Sequence, residues 1–199
     1  MAEAAAACRG CRNCPLYLRA TQAVFGEGPA HARLMLVGEQ PGDEEDRRGR
    51  PFVGPAGALL DRVLADAGVP RSEVYVTNAV KHFKFIERGK RRLHEKPKSQ
   101  EIRACDPWLR DELRLVAPRM VVALGATATT ALLGNKASVM RDRGRVLSLA
   151  PSHDDDGALD VVPTVHPSAV LRAPTSERRR ELRDMLVADL ELAWRTILR

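Results

Sequence analysis

A chain of 199 residues is long enough for one domain with a sizeable core and too short for two comfortable ones. It is 44% hydrophobic but only 4% aromatic, so Leu, Val and Ala must build the core, and its net charge of +6 points to a polyanionic partner, nucleic acid first. No apolar run approaches the roughly 18 residues of a membrane span, and Met1–Ala7 lacks the basic start and apolar centre of a signal peptide, so the expectation is a cytoplasmic protein with no membrane partner.

In chain order, residues 1–32 read as irregular, with Cys8, Cys11 and Cys14 in register and turn signals at Gly26 and Gly28-Pro29. In the cytoplasm these thiols and Cys105 read as metal ligands or reduced cysteines, not disulfides. Arg33–Gly38 is a short apolar run stopped by glycine, the pattern of a buried strand. A Gly/Pro/Asp loop follows from Glu39 to Val53. Gly54–Asp66 predicts a helix with Leu59, Leu60, Val63 and Leu64 on one stripe. Val74–Val80 predicts the second strand. Residues 82–98 predict a basic surface loop. The window Lys81–Arg103 holds nine Lys/Arg against three Glu, and Lys90-Arg91-Arg92-Leu93-His94 runs three cations into a histidine. Ser99–Val116 predicts a helix with Ser99 as N-cap and Ile102, Leu109, Leu113 and Val116 inward. Met120–Leu124 predicts a strand, Gly125–Leu133 a small-residue helix, Arg145–Leu149 a short edge strand and Val161–Val165 the last core strand. His153–Gly157 reads as a polar turn. Thr175–Leu198 predicts a long helix with Leu182, Leu186, Leu190, Ala193 and Ile197 on one face. Strands alternating with helices specify an α/β domain with a mostly parallel sheet. Sites in such folds lie beyond the carboxyl ends of the strands, which gathers the segments after Gly38, Val80, Leu124 and Val165 at one rim.

Four groups of residues can carry chemistry. Gly38-Glu39-Gln40-Pro41-Gly42-Asp43 follows the first strand and runs on through Glu45-Asp46 to Gly49–Gly54. Its glycines let backbone approach a ligand, and a carboxylate at a strand end suits catalysis. Phe52, in a Pro/Gly loop, is either core or an aromatic platform for a planar base. Thr77-Asn78 ends the second strand; an Asn carboxamide can pair bidentately with a base edge, although alone it reads as a turn. In His166-Pro167-Ser168, proline holds the histidine extended, where it can donate to an oxygen developing negative charge. Cys11-x-x-Cys14 with Cys105 is an iron–sulfur or zinc pattern that needs a fourth donor, Cys8 or His82.

Over essentially its full length the chain resembles the uracil-DNA glycosylase superfamily, most of all its iron–sulfur family-four branch. The resemblance is carried by Cys11-x-x-Cys14-Pro15-Leu16, Val24–Pro29, Gly38–Gly42, Gly49–Gly57, Thr77-Asn78 and His166-Pro167-Ser168. The chain departs at Gln40, where family-four enzymes have Ala, and in the basic insert ending at His94. Gly-Glu-Gln-Pro-Gly with Lys-Arg-Arg-aliphatic-His resembles the UdgX type, with Leu93 where that type usually has Ile. The resemblance implies a three-layer α/β/α sandwich with a central, mostly parallel four-stranded sheet. It implies a single domain over residues 1–199, with a cluster-binding segment at 1–32 and an inserted basic loop at 82–98. It implies a [4Fe-4S] cluster on Cys11, Cys14 and Cys105. His82 is the expected fourth ligand, because the family has Cys near that position, and Cys8 is the second choice.

The resemblance also implies a reaction on uracil-containing DNA, single strands preferred, by a monomer that joins the nucleoid when bound. Phe52 would stack on the extruded base and Asn78 would read its Watson–Crick edge. His166 would stabilise the uracil oxygen, and Glu39 would act near C1′ and on the nucleophile. His94 would attack C1′ in place of water, releasing uracil and leaving a histidine–deoxyribose link. Gly38, Gly42 and Ser168 would border the pocket, with Asp43 and Asp46 as further candidates. Lys90, Arg91 and Arg92 would contact phosphates and disfavour charge on His94. Gln40 would either replace water-positioning machinery or orient His94. Two other readings stay open: a conventional multiple-turnover glycosylase leaving an abasic site, and a basic metal-cluster module that only binds nucleic acid.

Overall fold

The computed structural model describes residues 1–149 and 159–199, so the polar turn expected at His153–Gly157 lies outside the described residues. The chain opens with α1 (Ala2–Arg9), where the sequence suggests an irregular segment. Alanines 4–7 are strong helix formers, and the helix buries Cys8 completely. Next come β1 (Leu34–Gly38), α2 (Asp43–Arg48) and α3 (Pro55–Asp66). α2 occupies part of the expected loop. Asp-Glu-Glu-Asp-Arg-Arg has no apolar stripe to announce a helix. Acids in its first turn and bases in its last suit the helix dipole, and Gly49 at φ 69° stops it.

After β2 (Val74–Asn78), the expected basic loop is instead an antiparallel hairpin of β3 (Phe85–Arg88) and β4 (Arg91–His94). Gly89, at φ 60°, opens its two-residue turn, where a left-handed residue matches the twist of paired strands. Then follow α4 (Ser99–Val116), β5 (Met120–Leu124), α5 (Ala126–Leu133), α6 (Val139–Asp142), β6 (Leu147–Leu149), β7 (Leu159–Thr164), α7 (Pro167–Leu171) and α8 (Ser176–Ile197). Lys98, not Ser99, caps α4, and its N–H is accepted by the Glu101 carboxylate at 2.5 Å.

The main sheet has the order β2-β1-β5-β7-β6. The four expected core strands are parallel, and β6 adds an antiparallel edge. Every residue of β1, β2 and β5 is buried, as a parallel sheet covered on both faces requires. Leu34 and Leu36 face the side covered by α3, α7 and α8; Met35 and Val37 face the side covered by α4 and α5. The architecture is a three-layer α/β/α sandwich. The expected stripes of α3 and α8 are the ones buried, from Leu59 to Leu64 and from Leu182 to Ile197. The carboxyl ends of β1, β2, β5 and β7 open on one rim.

Candidate active site

That rim encloses a cavity of about 420 Å³, large enough for a nucleobase and its sugar. Glu39, Phe52, Asn78, His94 and His166 all line it. Glu39 follows β1. Its Oε1 lies 3.0 Å from Nε2 of His94, the last residue of β4. Its Oε2 accepts from the Thr127 hydroxyl in the first turn of α5. Burial pushes the Glu39 carboxyl up, but the bonds from His94 and Thr127 outweigh it and hold the group below its ordinary range. Glu39 is therefore an anion with one oxygen fixed by the protein and the other aimed at His94.

His166 caps α7. Its Nδ1 accepts from the Ser168 N–H at 3.1 Å and lies 2.8 Å from the Ser168 hydroxyl. Burial, helped by Arg172 and His94 and opposed by Glu39, lowers its pKa to about 4. The ring is neutral at pH 7. Because Nδ1 is occupied as an acceptor, the proton sits on Nε2, a donor ready for an oxygen that gains charge.

Phe52 and Asn78 meet across Gly38. A Cβ there would stand 2.4 Å from Asn78 Oδ1 and 2.8 Å from Phe52 Cζ, so only glycine lets the ring and the carboxamide close on the same space. Phe52 is held at φ 53°, an expensive conformation for a non-glycine residue. Its carbonyl crowds Gly57 so closely that a Cβ would lie 1.7 Å away. The ring sits 6.2 Å from that of His166. The Asn78 carboxamide is 3% exposed and makes no hydrogen bond among the described residues. An unpartnered amide lining a cavity is suited to read a polar edge.

The hairpin that carries His94 is tied down by polar contacts. Gln40 donates from Nε2 to the carbonyls of Lys84 and Glu95, each at 3.1 Å, and accepts from the Lys84 N–H at 3.1 Å. Its amide is thus spent on the two feet of the hairpin. Both amide hydrogens hold the hairpin whose last residue is His94, while Gln40 also lines the cavity. Arg92 departs from expectation. It turns inward to Asp43 at 2.5 Å and Asp46 at 2.6 Å and lies over the rings of Phe83 and Phe85. Asp43 and Asp46 accordingly face the hairpin rather than the cavity. Asp46 also accepts from the Thr21 N–H and hydroxyl. Lys90 and Arg91, at the tip, are exposed and without ion-pair partners among the described residues.

All four cysteines are buried and unpaired. Cys14 and Cys105 pack in one cluster with Val80, while Cys8 packs in a second; Trp108 borders both and donates to Cys11 Sγ at 3.1 Å. The Lys81 N–H donates to Cys105 Sγ at 3.3 Å. His82 is the next residue. Its Nδ1 is fully shielded from solvent and has no hydrogen-bond partner among the described residues. Four sequestered thiols and an orphaned imidazole nitrogen fit a soft, thiolate-bound group. No three donors among the described residues converge on a single ion. A [4Fe-4S] cluster would be held by one donor on each iron, so its ligands need not converge on a single ion.

Sequence reasoning missed Thr127, which looked like one more small residue in α5. It also missed a buried pair. Lys81 and Glu112 are fully buried and 2.5 Å apart. The Lys81 ammonium also donates to Thr77 Oγ1 and to the Asn78 carbonyl, and Glu112 accepts from the Gly26 N–H. One lysine thus braces the Asn78 backbone with its side chain and Cys105 with its N–H.

Comparison with known proteins adds a family. The model of the uracil DNA glycosylase superfamily matches residues 25–191. The chain is 40% identical over 184 residues to the type-4 uracil-DNA glycosylase of Thermotoga maritima, covering 92% of this chain and 87% of that protein. It is 37% identical over 175 residues to the type-4 uracil-DNA glycosylase of Pyrobaculum aerophilum, covering 83% and 82%. It is 38% identical over 127 residues to a type-5 uracil-DNA glycosylase of Thermus thermophilus, covering 56% and 54%.

Proposed function

The chain belongs to the uracil-DNA glycosylase superfamily, and on that premise we propose that it excises uracil from DNA and captures the resulting sugar covalently through His94. Uracil-DNA glycosylase activity follows from the family. The covalent step rests on one observation: His94 Nε2, at the mouth of the cavity, lies 3.0 Å from an ionised Glu39.

The extruded uracil stacks on Phe52, and the free carboxamide of Asn78 reads the edge that distinguishes it from cytosine. The C1′–N1 bond breaks with both electrons leaving on uracil. His166 donates from Nε2 to the uracil oxygen as it gains charge. The proton on His94 Nε2 passes to Glu39, and the freed lone pair forms the new bond to C1′. Uracil takes up the proton on release. Lys90 and Arg91 contact phosphates and position the strand without reading sequence. Single-stranded DNA is the preferred substrate, because no base pair must be broken to extrude the uracil. A [4Fe-4S] cluster would be held by Cys11, Cys14 and Cys105 with His82 or Cys8 as fourth ligand, and would cross-link the N-terminal segment to the junction of β2 and the hairpin.

The test is denaturing electrophoresis after incubation with uracil-containing single-stranded DNA. An SDS-resistant complex at one uracil released per protein is expected, and His94→Ala should abolish it. A complex that survives His94→Ala assigns the bond to another residue; excess free uracil without a complex leaves a conventional multiple-turnover enzyme.

A further inference from the structure

We infer that Thr127 is a positioning residue whose hydroxyl pins one oxygen of Glu39 and thereby presents the other to His94. The inference rests on the reading that Glu39 takes the proton of the nucleophile. A carboxylate at the end of a strand can rotate about its last torsion, which is broad and roughly two-fold. Here it does not need to be free. Oε2 accepts from Thr127, and Oε1 faces His94 Nε2 at 3.0 Å. Thr127 is 2% exposed and is not among the residues lining the cavity, so it acts on substrate only through Glu39.

The rest of the α5 turn serves the same end. Gly125, at φ 87°, stands so close to His166 that a Cβ would lie 3.0 Å from His166 Cβ. The carbonyl of Gly125 accepts both the N–H and the hydroxyl of Thr129, which closes the first turn. One helix start therefore fixes the spacing between the carboxylate and the oxyanion donor. The ionisable groups facing Glu39 are His94 from β4 and His166 before α7; Glu45 from α2 and Arg172 after α7 line the same cavity. A hydroxyl donating to the anion keeps Glu39 ionised, so its removal should shift the carboxyl upward.

Single-turnover rates of uracil release and of adduct formation, measured across pH on the full chain, test this in Thr127→Val and Thr127→Ser. Valine keeps the shape and removes the donor. It should slow both rates by about ten- to hundredfold near neutral pH and move the acid limb of each profile to higher pH. Serine should restore both. Wild-type rates and an unmoved acid limb in Thr127→Val would overturn the inference, as would a serine variant as slow as valine. If Thr127→Val does not melt cooperatively, Thr127→Ala carries the same comparison with serine. Should the wild type release uracil without forming an adduct, the covalent reading fails alone, and the uracil-release profiles still decide the role of Thr127.

Discussion

The sheet rim and the hairpin bring side chains to one cavity by opposite means. Glu39, Asn78 and His166 stand at the ends of strands that are buried on both faces and hydrogen-bonded in parallel register. Their neighbours leave no slack: Gly38, Gly57 and Gly125 each sit where a methyl group would collide. His94 stands on a two-stranded ribbon outside the main sheet, and its own side chain is 48% exposed. That ribbon is held by the Gln40 amide, the Arg92 clasp on Asp43 and Asp46, and the packing of Phe83 and Phe85. Isolated hairpins are marginal in water, so these tethers decide where His94 goes. On the proposed reading the rim cleaves the glycosidic bond, and the hairpin delivers a nucleophile to what the rim produces.

The sharpest way to break this division is Glu39→Gln. Glutamine keeps the shape but loses the charge and the proton acceptor. Both uracil release and adduct formation should fall on the order of a hundred- to ten-thousandfold. A rim carboxylate serves both steps, so the two losses must run in parallel. If Glu39→Gln stops the adduct but releases uracil at the wild-type rate, Glu39 belongs to the hairpin's step only.

Gln40→Ala should separate the two regions more gently. It removes three hydrogen bonds to the feet of the hairpin and leaves the contacts of Glu39 and His166 in place. The Lys84 N–H then loses its buried partner, at about 1–3 kcal/mol where water cannot enter, while the Lys84 carbonyl keeps the Glu95 N–H. Adduct formation should slow about tenfold or more while uracil release stays within a few-fold of wild type. Equal loss in both assays would mean that Gln40 supports the rim directly.

The same contrast explains what could be read from the residues alone. Rim residues are easier to read, because Glu39, Asn78 and His166 each close an apolar run, and strand ends of a parallel sheet open on the site. The hairpin does not. Phe85-Ile86-Glu87-Arg88 and Arg91-Arg92-Leu93-His94 lack a clean polar–apolar alternation, and their pairing depends on Gly89 and on tethers from distant segments. The basic window also misled. Lys81 and Lys84 are buried against Glu112 and Glu101, and Arg92 against Asp46, so much of its charge is neutralised inside the protein. Composition counts charges but not their partners. Thr127 shows the same limit, since nothing local tells which carboxylate a buried hydroxyl will meet.

The smallest expected effect concerns the cost of the rim rather than its chemistry. His166 has its pKa lowered to about 4 from an ordinary 6.5, mainly by burial. Between those values the unfolded chain binds a proton that the folded chain refuses. Folding stability must therefore fall as pH drops from about 6.5 to about 4. His82, lowered by burial, adds in the same direction. Glu39, held below its ordinary range, adds its loss only at more acidic pH, as it protonates in the folded state. Thermal melts across this window should show Tm declining by up to about 10 °C, at roughly 2–4 °C per kcal/mol for a chain of this size. His166→Gln should flatten part of that decline and leave the contribution of His82. A slope that His166→Gln leaves as steep as in the wild type would mean that burial of the rim histidine is not its cause.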